Sequence, residues 1–275
     1  MKKLFGLLLG LVSLTAMAQG HFDVLSFNDF KVHVYQTNDT MRDASIIVEG
    51  NDGLITLEPP LFRNADTEFN AYIDKLGKPV VRTIFDYHIG GTKNVNVTFP
   101  EGMIDYMGDE SYDTMMKGFQ KQYGDQLVDY PELTGEEVSF GTTQHWAGVD
   151  VKFDKSIFGG MPGADIIIGG KVFFSHSISG KAHAGARSIR SAADIDKQLG
   201  IAEKLTNTGA EYFVSGHGGL LAENPANFMK EYYTTMKQKL QQSANADDFI
   251  AAMKQAYPGL QGEEGLAQVA KNLYK

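Results

Sequence analysis

The sequence predicts an α/β protein made of two β-rich halves with helices packed outside them. Three observations carry that prediction. Short β-branched runs alternate with helix-period segments, the pattern of sheets covered by helices. The same order occurs twice, early in the chain and again from residue 163, without the sequence itself repeating. No low-complexity linker parts the halves, so one domain is expected. At 275 residues, 43% hydrophobic and 21% charged, the chain can bury a large core.

Taken in order, MKKLFGLLLGLVSLTAMAQG sets Lys2 and Lys3 before an apolar stretch that ends in Ala16-Met17-Ala18. This reads as a signal peptide over 1–18, so a periplasmic or secreted protein without a membrane anchor is expected. HFDVLSF, FKVHVYQ and ASIIVEG show strand-like alternation or β-branched runs. Asn51-Asp52-Gly53 is a hairpin turn, and GLITLEPPLF returns as a strand that Pro59 and Pro60 end. In residues 64–77, Phe69, Tyr72, Ile73 and Leu76 fall at helical spacing before Gly77. VVRTIF then makes a strand–helix–strand crossover, which implies parallel pairing.

In the second half, GADIIIGGKVFFSHS reads as two strands around Gly169-Gly170. Ile195, Leu199, Ala202 and Leu205 mark one face of a helix, and AEYFVSGHGG is a short strand running into a glycine-flanked histidine. Phe228, Tyr232, Met236 and Leu240 form a stripe in a helical C-terminal region, residues 223–275. There is no cysteine, which excludes disulfides and a lipoprotein anchor. Without Lys2 and Lys3 the chain carries 23 bases against 34 acids, a net −11. Such a field disfavours nucleic acid and anionic membrane as partners.

The sites where chemistry concentrates are two strand ends, Asp86-Tyr87-His88-Ile89-Gly90-Gly91 and Ser215-Gly216-His217-Gly218-Gly219. With Leu57-Glu58-Pro59, Gly160-Met161-Pro162-Gly163 and Phe173-Phe174-Ser175-His176-Ser177, their order resembles the metallo-β-lactamase fold superfamily over residues 19–222. The resemblance implies a four-layer αββα sandwich with a helical C-terminal extension packed on the same domain. It also implies a degenerate metal site. Thr83, Phe85 and Tyr87 stand in the family's metal-binding places, Gly160 replaces a histidine, and Ser177 takes the place of the bridging carboxylate.

Zinc needs about three protein ligands even at a catalytic site. His88 and His217 supply two, so the pair is a candidate site for one zinc or other divalent metal, while none is expected at the first family position. His176 is the third metal candidate, although with Ser177 pointing inward, alternation would turn His176 away. Glu58, Asp86 and Tyr87 are candidate catalytic groups; the plainer reading gives Glu58 a loop-orienting role and packs Tyr87 on Phe85. Tyr87, His88, Ser177 and His217 are expected to bind ligand. Lys181, His183, Arg187 and Arg190 can receive a carboxylate or phosphate, or form a solvated basic face.

The functional expectation is an exported pseudo-hydrolase that binds a small-molecule ligand in the old cleft. One alternative is a mono-metal hydrolase with a water activated at His88 and His217. Another is a module that binds an unknown protein partner through its C-terminal helices.

Overall fold

The computed structural model describes residues 20–91, 96–129, 134–158 and 162–275. The expected signal peptide and the Gly160-Met161 pair lie outside the described residues. A seven-stranded sheet runs β1 (His21–Ser26), β2 (Lys31–Gln36), β3 (Ala44–Glu49), β4 (Leu54–Leu57), β5 (Val80–Ile84), β6 (Val97–Pro100), β7 (Glu136–Val138) in spatial order. A six-stranded sheet holds β8 (Thr142–Trp146), β9 (Val149–Lys155), β10 (Ala164–Ile168), β11 (Val172–Ser175), β12 (Tyr212–Ser215) and β13 (Gly219–Leu220), ordered from β8 at one edge to β13 at the other. Around them lie α1 (Arg63–Leu76), α2 (Met103–Met107), α3 (Glu110–Tyr123), α4 (Ala192–Thr206), α5 (Pro225–Gln242), α6 (Ala246–Ala256) and α7 (Leu266–Leu273).

Side-chain alternation builds the layers. In β2 and β3, Val32, Val34, Ile46 and Val48 face the second sheet, where they meet Val151, Phe153, Ile166, Ile168, Val172 and Phe174 in one buried cluster. The intervening Tyr35 and Ile47 turn outward and pack with Phe69 of α1. On the other outer face, Phe173 and Phe213 are covered by Ile195 and Leu205 of α4 and by residues of α5, α6 and α7. The order helix, sheet, sheet, helix is the expected four-layer sandwich.

The local signals act as read. Gly77 caps α1 with φ 65°, and α1 carries the chain from β4 to the parallel β5. The C-terminal stripe is core: Tyr232 and Met236 are buried with Phe249, Met253, Leu266 and Val269 against α4, and Phe228 and Leu240 pack on the same cluster. Among the described residues the exposed large hydrophobics are Val24, Met115 and Tyr212, none of them in the C-terminal helices. Those helices therefore turn most of their apolar stripe onto the core. No helix among the described residues is long and apolar enough to cross a membrane.

Candidate metal centre

Five backbone segments converge at one end of the two sheets. Asp43 immediately precedes β3, Glu58 follows β4, His88 lies beyond β5, His176 follows β11 and His217 lies beyond β12. The backbone fastens them together: Asp43 and His217 form an antiparallel bridge, with the Ala44 N–H donating to the Gly216 carbonyl at 2.8 Å. Two glycines permit the approach. A Cβ on Gly90 would stand 1.9 Å from the Pro59 carbonyl oxygen, and one on Gly216 would stand 2.6 Å from His176 Nδ1. Neither position tolerates a side chain without moving the site.

The three imidazoles form a cluster, with ring centroids 4.6 Å apart for His88 and His176, 4.7 Å for His176 and His217, and 5.1 Å for His88 and His217. One nitrogen from each lies within 4.8 Å of the others. Two buried carboxylates lie against these rings. Glu58 is 3.3 Å from His88 Nδ1 and 3.4 Å from His176 Nδ1, and it accepts the backbone N–H of Tyr87 at 2.8 Å. Its own backbone has φ 49°, an uncommon value for a non-glycine residue, and the Ser45 hydroxyl holds its carbonyl at 2.5 Å. Asp43 is 3.0 Å from His217 Nδ1 and 3.6 Å from His88 Nε2.

Electrostatics divides the histidines. Burial pulls His88 down, but Glu58 and Asp43 outweigh it and push the imidazole up to about 9. His176 goes the other way: burial lowers it, and Glu58 only partly offsets that. Burial opposes ionisation of Glu58, yet His88 and His176 hold its carboxyl well below the usual range. His88 and Glu58 therefore form an ion pair at neutral pH in the metal-free protein, while His176 presents a neutral ring.

The structure redistributes the expected site residues. His176, expected to turn away, joins His88 and His217, and Ser177 is exposed on the opposite face. The reason is strand parity. Val172 and Phe174 face the inter-sheet core, so the next position on that side is His176. Asp86 gives its buried carboxylate to the Ala164 N–H at 3.0 Å and ties the two sheets together. Tyr87 stacks on His176, centroids 4.4 Å apart, and not on Phe85. Phe85 packs against Phe99, centroids 5.7 Å apart, in the core with Met103 and Met107 of α2, so it does not fill the cleft. Thr83 pairs with Thr56 at 2.8 Å.

The basic constellation also separates. His183 is buried, with Nδ1 3.0 Å from the Tyr232 hydroxyl, and so belongs to the helical layer. Lys181 pairs with Glu223 at 2.5 Å, while Arg187 and Arg190 line a cavity beside α4 and α5. Sequence reading missed Asp43 altogether. Its one signal was an acid directly before a continuous apolar strand, which also fits an ordinary turn.

The donor set suits one divalent ion. Three neutral imidazole nitrogens are a common zinc set, and carboxylates on the far ring nitrogens are the usual orienting groups. Both Asp43 oxygens are buried without a well-formed hydrogen bond, the condition of a carboxylate that faces a positive charge. Tetrahedral zinc at 2.0–2.1 Å from each nitrogen sets them about 3.3 Å apart.

No protein-family model matches the sequence, and no curated protein matches it. Solved structures do match. A metallo-β-lactamase family protein from Thermus thermophilus is 13% identical, with 88% of this chain and 90% of that one covered and a TM-score of 0.55. A flavo di-iron protein mutant from Thermotoga maritima is 13% identical over 93% of this chain and 77% of its own, with a TM-score of 0.51. The sec-alkylsulfatase Pisa1 from Pseudomonas is 13% identical over 88% of this chain but 46% of its own, with a TM-score of 0.51. The chain has the metallo-β-lactamase fold.

Proposed function

We propose that this chain is an exported metallo-β-lactamase-fold protein that holds one zinc or similar divalent ion on His88, His176 and His217, with hydrolysis as its chemistry. The observation that carries the reading is the three-imidazole cluster backed by Glu58 and Asp43. Three protein ligands leave a coordination position open, the arrangement of catalytic zinc. Such an ion, when bound, supplies Lewis acidity that polarises a substrate oxygen or lowers the pKa of water. The protein's own part is orientation. Glu58 fixes the rings of His88 and His176 through their Nδ1 atoms, and Asp43 fixes that of His217. The phenol of Tyr87, pushed up by burial, stays protonated and serves as a donor and as a wall against His176.

One observation favours a second reading, a pseudo-hydrolase that binds ligand without turnover. Thr83 and Phe85 are committed to other packing, and Tyr87 and Ser177 replace carboxylates that accompany the family's dinuclear centre. Zinc-dependent hydrolysis of lactam, thioester or phosphodiester probes decides between them. The hydrolase reading expects turnover that disappears in His217→Ala. Background rates in the zinc-loaded wild type would leave the ligand-binding reading.

A further inference from the structure

A cavity of about 1260 Å³ lies away from the histidine cluster, in the outer helical layer. Its apolar wall includes Ile157, Phe158, Phe228, Met229 and Tyr233. Four cations, Arg187, Arg190, Lys197 and Lys204, stand on its lining against one carboxylate, Asp194. That carboxylate is already engaged by the Arg190 N–H, the Ser191 hydroxyl and Lys197. In a chain with 34 acids and 25 bases, a lining with this excess of positive charge runs against the overall field.

Tyr233 supplies an independent observation. The residue is 8% exposed, no protein group among the described residues bonds its hydroxyl, and that oxygen keeps open contact with the cavity the residue lines. Its neighbour Tyr232 differs, bonding its hydroxyl to His183 and to the Ala184 N–H. A phenol whose ring is buried while its oxygen stays accessible takes its partner from the open side. Here the cavity is the direction from which one can come.

We infer that the cavity between α4, α5 and the 177–191 segment binds a single-chain anionic amphiphile, a fatty carboxylate. The alkyl chain lies on the apolar wall with the Tyr233 hydroxyl donating to a carboxylate oxygen, and the head group meets Arg187 and Arg190 at the rim. An inorganic anion would leave the apolar wall wet, and a neutral alcohol would leave the guanidiniums without a counter-charge. The site shares only a strand end with the metal centre: His176 faces the cleft and the adjacent Ser177 lines the cavity.

Calorimetric titration of the full mature chain with laurate, dodecanol and inorganic phosphate tests this. Tyr233→Phe keeps the ring and removes the hydroxyl, and Arg187→Gln/Arg190→Gln removes two exposed charges that make no ion pair among the described residues. Laurate should bind the wild type at one site per chain, about fivefold more weakly after the loss of one hydrogen bond in Tyr233→Phe. It should weaken at least about tenfold in the arginine variant, with dodecanol and phosphate both weaker than laurate. Either variant binding laurate like the wild type overturns the proposal, as does absence of saturable binding or an affinity for phosphate or dodecanol equal to that for laurate. Unchanged thermal melts of the variants keep a folding defect from imitating the expected loss.

Discussion

Replacing Glu58 by Gln tests the electrostatics beneath the imidazoles. The amide oxygen of Gln can still accept the Tyr87 N–H that Glu58 now accepts at 2.8 Å, so the change removes charge more than shape. In the metal-free wild type, His88 is held at about 9 against an ordinary value of 6.5, worth about 3 kcal/mol. Because the folded value is raised, this stability is fully present below pH 6.5 and is lost as pH rises through 9. With Gln at 58, burial opposes the charge on His88 and only Asp43 and, more weakly, Asp86 favour it, so the imidazole should fall well below its wild-type value and the slope should flatten. Urea unfolding of chelator-treated protein from pH 6 to 9.5, wild type against variant, reads the difference directly. The wild type should lose about 3 kcal/mol relative to the variant across that window. Parallel curves, or a wild-type His88 resonance titrating at 6.5 or lower, would refute the ion pair.

Three further outcomes follow from the same geometry. His176→Ala should lower zinc affinity by at least about tenfold, while Ser177→Ala leaves it unchanged, as measured by competition with a chromophoric chelator. Gly90→Ala, whose new Cβ would meet the Pro59 oxygen at 1.9 Å, should destabilise the fold by about 3 kcal/mol in denaturant melts. Asp165 is pushed up by burial to about 6 from 3.8, so its contribution is present below pH 3.8 and is lost as pH rises through 6. Asp165→Asn keeps an acceptor for the Ile157 N–H at 2.7 Å and should remove up to about 3 kcal/mol of that pH dependence, seen in melts between pH 4 and 7.

The fold was legible wherever a segment carried its own local signal. The β-branched strands, the turn at Gly53 and the stop at Gly77 each specify their conformation within a few residues. Residues 96–158 resisted because β7 and β8 are short and mostly polar on the exposed edge of their sheets, where alternation has little to report. In the site, His88 and His217 stood out by their flanking glycines. His176 was misjudged because its side was taken from Ser177 by resemblance; counting from Val172 and Phe174, the apolar residues of its own strand, gives the side correctly. Glu58 orients the adjacent loop as read, by accepting the Tyr87 N–H, but its place against two imidazoles, like the whole role of Asp43, depends on contacts between segments far apart in the chain. The cation cluster after residue 180 was visible as composition, but only packing shows that His183 belongs to the core while Arg187 and Arg190 face the cavity.

X-ray absorption at the zinc edge, on protein given one equivalent of zinc after chelator removal and paired with an elemental count, tests the three-histidine site most directly. The account predicts one ion per chain with three imidazole nitrogens at about 2.0 Å. No retained ion, or a first shell without three imidazoles, would contradict it.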